Sequence, residues 1–434
     1  MKKREDADGE PSGAAPDRLD PGRLDIAVAD EQTPSDADRG AFGARSVRRK
    51  AAVAAALSFL VWSCWFVTRP NPHPYRDLSG GAFTDHFSHM NAARAFPVVG
   101  REIWTRPFAA LFRSMTPAEL AALPDDVRAA AGPEVRFVPG WPDGKPFVAS
   151  WSHNARLYPP GDMLLVAPVA LAYHLTPLSF AGANTLLILL FLLYAHVALY
   201  VVFVWAQEER WSGFAFLPLF ILYGEVIHWT LEGFYDAAVI APLVLCARYL
   251  GARRGLAAVL AFCVASVIHF RALFFAPWVV WGAVLALRER PWRTWTRRDA
   301  VAAGAAAILG VATLYVFYLL YPTLRSLPVN NALAQGHRSP ALVTFAAVTL
   351  VVAVMLARAR AWLDLATVGW TAFMLVQLRE AYPWHVVAVL PLLLGAGSSQ
   401  MPSAAREARA VYFMAFAVII FRNTTVPFWI GQLW

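Results

Sequence analysis

The chain has 434 residues, 58% of them hydrophobic and only 16% charged, with a mean hydropathy of +0.45. Apolar runs of roughly 16–25 residues recur along it, long enough to cross ~30 Å of hydrocarbon, which excludes a water-soluble enzyme and describes a polytopic membrane protein. The formal net charge of +8 comes from short basic clusters between these runs, a pattern that sets topology rather than binding nucleic acid.

Residues 1–45 are rich in Asp, Arg, Pro, Gly and Ala. They hold too few apolar side chains to offset ordering entropy, so a disordered cytoplasmic tail is expected. Arg45, Arg48, Arg49 and Lys50 then precede an apolar helix over Ala51–Thr68 and place the amino terminus inside. That helix sits too far along the chain for a cleavable signal, so it is expected to stay as an anchor. Residues 46–434 form the expected transmembrane domain.

Residues 69–157 are the one large extramembrane region. It opens on Phe83–Phe96, FTDHFSHMNAARAF, where Asp85 and His89 share a helical face at i, i+4. In REIWTRPFAALFR, Ile103, Trp104, Phe108, Leu111 and Phe112 fall on one side of a helix, which predicts a segment lying on the membrane surface. Thr116-Pro117-Ala118-Glu119 reads as a capping box with proline at the first helical position, and Gly132-Pro133 ends that helical region. The turn-rich VPGWPDGKPF, 138–147, predicts an irregular loop.

Tyr158-Pro159-Pro160-Gly161 starts another apolar run, closed by Pro177, and later runs fall at about 180–205, 211–227, 235–250, 255–270, 272–287, 300–320, 340–357, 361–378, 383–397 and 410–427. If the run over 158–176 dips into the outer leaflet without crossing, the inner short loops carry 13 arginines: 210, 248, 253, 254, 288, 290, 293, 297, 298, 358, 360, 406 and 409. The outer ones then carry 5, Arg271, Arg325, Arg338, Arg379 and Arg422. A full crossing would invert these counts. The excess of arginine inside therefore favours eleven spanning helices and one juxtamembrane helix. Cys64, Cys246 and Cys263 all lie inside apolar runs, so no disulfide framework is expected.

This topology collects Asp85, His86, His89, His153, Asp162, His228, Glu232, Asp236, His269, Arg271, His337, Arg338, Arg379, Glu380 and His385 on the outer side. Ionisable groups at membrane depth are costly and mark a cavity or pathway. For Asp85 two readings stand. Either it caps the helix running to Phe96, accepting backbone N–H bonds that would make it a poor base, or Thr84 caps and Asp85 is free in the first turn. Asp85, His86 and His89 also supply a carboxylate and two imidazoles within five residues, a set that could hold a divalent cation. No other cofactor is called for. His269 and Arg271 stand where two short runs meet, and a cation there could take a lipid phosphate. Snorkelling to the interface is the alternative.

In its residues the chain resembles the GT-C superfamily of polytopic glycosyltransferases, most closely the bacterial mannosyltransferase-like members. The residues that carry the resemblance are TDHFSHMNAARAF after the first helix, YPPGDMLLVAPVALAYHL, LVLCARYLGARRGLAAVLAFCVASVIHF and AYPWHVVAVLPLLLG. Gly161-Asp162 departs from the bulky apolar residue that usually follows the two prolines, and His269 or Arg271 stands where a lysine is often found.

The resemblance implies an all-α, GT-C-like bundle in the bacterial inner membrane. It would move a sugar, mannose in the most similar members, from a polyprenyl-phosphate donor to a glycan, lipid or protein acceptor on the outer face. It implies Asp85 as the base, His269, Arg271, Arg379 and His385 near the donor phosphate, and His153, Trp151 and Tyr158 near sugar or acceptor, with His86 and His89 as neighbours. The competing class is a transporter or flippase of a lipid-linked or small polar substrate, which would carry internal repeats and charges at the membrane midplane.

Overall fold

The computed structural model describes residues 36–68, 85–122, 135–136, 147–148, 158–208, 223–224, 226–227, 230–231, 233, 235–252, 254–289, 295–326, 340–358 and 368. The chain divides into two units, Met1–Arg45 and Ser46–Trp434. Helix α1 spans Asp36–Thr68, so it begins inside the segment expected to be disordered. The residues ahead of the apolar run are Asp36 followed by several Ala and Arg. An acidic start and good helix formers extend a helix whose nucleation the apolar run already secures.

The protein is mostly helical. After α1 come α2 (Asp85–Val99), a 3-10 segment (Gly100–Trp104), the short α3 (Phe108–Leu111) and α4 (Pro117–Ala121). A two-residue antiparallel pair follows, β1 (Val135–Arg136) with β2 (Phe147–Val148). It is a small departure from the all-α expectation. The pair brackets most of the expected irregular loop, whose residues 138–146 lie outside the described ones.

The apolar helices are α5 (Pro160–Leu175), α6 (Phe180–Glu208), α7 (Ala237–Gly251), α8 (Gly255–Ile268), α9 (Ala276–Glu289), α10 (Arg297–Ser326) and α11 (Pro340–Arg358). Among the described residues three stretches are long and apolar enough to cross a membrane, Ser46–Thr68, Gly182–Trp205 and Arg297–Val316. This is a membrane protein. Shorter apolar helices accompany them, α5, α7 and α8 among them. At 16 residues, α5 is about 24 Å long, short of the ~30 Å core. Length does not set it apart, because α7 has 15 residues and α8 has 14. The runs expected at 383–397 and 410–427 lie outside the described residues, as do most of 211–227 and all but one residue of 361–378.

Helix α8 is the hub, packing against α5, α7, α9 and α10. Its buried face is made of small side chains, with Gly255, Ala258, Ala261, Cys263, Ala265 and Ser266 buried beside Phe262. Small residues let helix backbones approach closely where lipid removes the hydrophobic drive to associate. The approach to α5 is close, for a Cβ added at Gly161 would stand 2.4 Å from the Val267 carbonyl oxygen.

The surface helix expected over 101–113 does not form. Gly100 adopts a positive φ of 54°, a conformation that costs glycine little, and α2 ends there. The chain tightens into the 3-10 segment, and the next helix begins only after Pro107. Ile103, Trp104 and Phe112 are then buried in a cluster with Ala92, Ala95, Met163 and Val316, facing protein rather than lipid. The Thr116 capping box forms as expected: its hydroxyl accepts from the Glu119 N–H, and Glu119 accepts from the Thr116 N–H at 2.7 Å.

Candidate functional site

The helical hairpin of α7 and α8 positions half of the site. The two helices are nearly equal in length and joined by a tight turn, so the residue before α7, Asp236, and the residue after α8, His269, come level at one end. Arg248 and Arg254 mark the opposite end. His269 Nε2 stands 3.5 Å from Asp236 Oδ1, and both residues are almost fully buried. That separation is an electrostatic contact rather than a tight hydrogen bond.

The other half comes from α2 and α5. Pro160 at the first helical position is preorganised for a helix start, which sets Asp162 in the first turn of α5. Trp104 Nε1–H donates to the Tyr158 carbonyl at 2.8 Å and holds the chain entering that helix. His89 of α2 meets Asp162 with Nδ1 at 2.5 Å from Oδ2, and both side chains are fully buried. Taking two ionisable groups from water is tolerable only when they are joined like this. Removing one partner of such a pair typically costs ~3–5 kcal/mol.

Two tyrosines join the halves. The His89 ring lies 4.4 Å from Tyr158 and 4.3 Å from Tyr235, edge to face with both. His269 is edge-on to Tyr158 at 5.2 Å and stacked with Tyr235 at 5.5 Å. Two carboxylate–imidazole pairs thus flank a pair of phenols in a largely dry end of the bundle. Imidazole, carboxylate and phenol groups set together in this way can accept and donate protons.

Of the expected site residues, His89, Tyr158 and His269 come together here. Asp85 is the first residue of α2, one turn before His89, and not the residue that precedes the helix. Asp85 and His86 in α2, and Arg271 in the 3-10 segment 270–275, are described in backbone only. His153, Arg379 and His385 lie outside the described residues, as does Trp151. The carboxylate found against His89 is that of Asp162, which the sequence placed among the outer-side ionisable groups and gave no role in the site. His269, expected near the donor phosphate, stands against Asp236. Among the described residues no group of three or more His, Cys, Asp or Glu side chains gathers as a cation site.

A second polar cluster was not anticipated. His196, within the long apolar run of α6, donates from Nδ1–H to the Leu192 carbonyl at 2.7 Å. Its Nε2 therefore acts as the acceptor, 3.1 Å from Ser58 Oγ and 3.3 Å from the Tyr223 hydroxyl, which are themselves hydrogen-bonded. His196 and Ser58 both fall near the middle of their candidate spans. A histidine interrupting an apolar run was the available signal. Comparison of the chain with family models, with curated proteins and with solved structures returns no match.

Proposed function

We propose that the protein is a membrane glycosyltransferase that moves a sugar from a polyprenyl-phosphate donor to an acceptor hydroxyl at the outer face of a bacterial inner membrane. One observation carries this reading: α2, the helix that opens on Asp85, is docked through His89 onto Asp162, beside a second carboxylate–imidazole pair and away from the basic Arg248–Arg254 turn. Ionisable groups cluster at that one end, which fits a reaction at the membrane interface. The positive-inside count supports assigning that end to the outside, with eleven spans and a non-crossing α5.

In the transfer, Asp85 takes the acceptor's proton as its oxygen bonds to the anomeric carbon. The bond from that carbon to the phosphate oxygen breaks, and the lipid phosphate leaves with the electron pair. A positioned base of this kind contributes ~10²–10⁴-fold. Arg271, Arg379 and His385 are the candidates to receive the phosphate, with Tyr158 and His153 near sugar or acceptor. Transfer of radiolabelled sugar from polyprenyl-phosphate mannose is the test, in membranes holding equal amounts of wild type and Asp85→Asn. We expect at least a ~10²-fold loss in the variant. Retained transfer refutes the assignment.

The mid-depth His196 cluster favours a second reading, a transporter or flippase, for which polar groups halfway through the bundle are the mark. Flux of a lipid-linked sugar across vesicles that Asp85→Asn leaves intact would favour it over the enzyme.

A further inference from the structure

The proposed transfer places Asp85 on a helix belonging to the loop region rather than to a long span. A loop helix of 15 residues does not hold a base still without a tether. The described contacts supply one. His89, one turn beyond Asp85, is fully buried and 2.5 Å from Asp162, which is equally buried. Asp162 is itself fixed, because Gly161 brings the α5 backbone against the Val267 carbonyl of α8, two residues before His269. Below the pair, Met90 packs with Val166, Val169 and Ala170 of α5. Arg94 lies over the Tyr173 ring at 4.9 Å. The helix is thus gripped along its length, and its His89–Asp162 contact with α5 falls at the turn that follows Asp85.

We infer that Asp162 and His89 are positioning residues: their buried hydrogen bond holds the first turn of α2, and so Asp85, at a fixed place over the site. This rests on the transferase reading above and adds a role that the reading does not require. A hydrogen bond between a carboxylate and an imidazolium or Nδ1–H imidazole is short, strong and directional. It therefore fixes the helix in rotation as well as in distance. A misplacement of ~1 Å in such a group is enough to cost ~10²-fold in rate.

The test uses the full-length protein in membranes with radiolabelled polyprenyl-phosphate mannose. We expect Asp162→Asn and His89→Gln each to lower kcat at least tenfold while leaving the donor KM within twofold. The double variant should be no slower than the slower single, because the two residues act as one unit. Multiplying effects in the double variant, or wild-type kcat in either single, overturn the proposal. Should Asp162→Asn fail to fold, Asp162→Glu keeps the charge and lengthens the arm. A lowered kcat in a folded Asp162→Glu protein supports positioning, and an unchanged kcat overturns it. If Asp85→Asn abolishes transfer while Asp162→Asn and His89→Gln keep wild-type kcat, the positioning role alone has failed. If Asp85→Asn is fully active, the transferase reading has failed first.

Discussion

Replacing Gly161 with alanine tests the packing on which the site depends. The added Cβ would stand 2.4 Å from the Val267 carbonyl oxygen, 2.8 Å from its carbon and 3.0 Å from Cγ1, whereas ordinary contact begins at 3.4 Å. The two nearest atoms are backbone, so no rotamer change relieves the clash. The start of α5 must move away from α8 by about 1 Å, and overpacking of this kind costs ~1–3 kcal/mol. The displaced turn carries Asp162, so the same movement opens the contact with His89. Thermal unfolding of the detergent-solubilised protein, followed by tryptophan fluorescence, should show Gly161→Ala melting a few degrees below wild type. Gly304→Ala is the control, since a Cβ there meets nothing within 4 Å. It should be neutral or slightly stabilising, by up to ~1 kcal/mol from helix propensity. If Gly161→Ala melts no lower than Gly304→Ala, the close approach of α5 to α8 is wrong, and so is the account of how Asp162 is held.

His196→Ala should remove the acceptor that ties Ser58 of α1 and Tyr223 to α6. Interhelical hydrogen bonds in membranes are worth ~0.6–1.7 kcal/mol, so the same melting assay should register a modest loss. The further change Ser58→Ala should then add little, and additive losses would show that no shared network exists. Outside the membrane, the bidentate Arg113 guanidinium and then the Thr116 N–H hold the Glu119 carboxyl down at about 2. A depressed carboxyl supports the fold above its unfolded value and loses that support as pH falls from there through about 2. Titration of the Glu119 carboxyl by NMR should show this low midpoint, and Arg113→Ala should move it toward ~4.3; an unmoved midpoint would mean that the Arg113 fork does not exist in solution.

Much of the helical framework was legible because membrane helices write themselves as long apolar runs. The run expected at 180–205 is α6, those at 235–250 and 255–270 are α7 and α8, and Thr68 ends α1 as expected. The capping box at Thr116 was legible for a different reason, since its two side chains satisfy backbone groups within one turn. What periodicity misread was the segment over 101–113. Its apolar residues do fall at helical spacing, but Gly100 and Pro107 break the backbone, and the same side chains find a protein surface to cover. Helical spacing identifies which residues will be buried together more reliably than what will bury them.

His89, Tyr158 and His269 were named from the sequence as site residues, but Tyr235 and the carboxylate partners of the two histidines were not, and the reason is physical. Asp85 and His89 stand four residues apart, so spacing alone suggested that they cooperate. Yet a buried imidazole needs a hydrogen-bond partner, and the carboxylate that supplies one came from 73 residues away in the chain. No local rule reaches so far. The other pair was within reach of one. Asp236 and His269 bracket two helices of almost equal length with an arginine-rich turn between them, and a hairpin of that form must bring its two ends level. Had the hairpin been drawn, Asp236 would have stood beside His269. The glycine and aspartate that broke the expected pattern after the prolines would then read as one device: a residue small enough to touch α8, followed by the carboxylate that anchors α2.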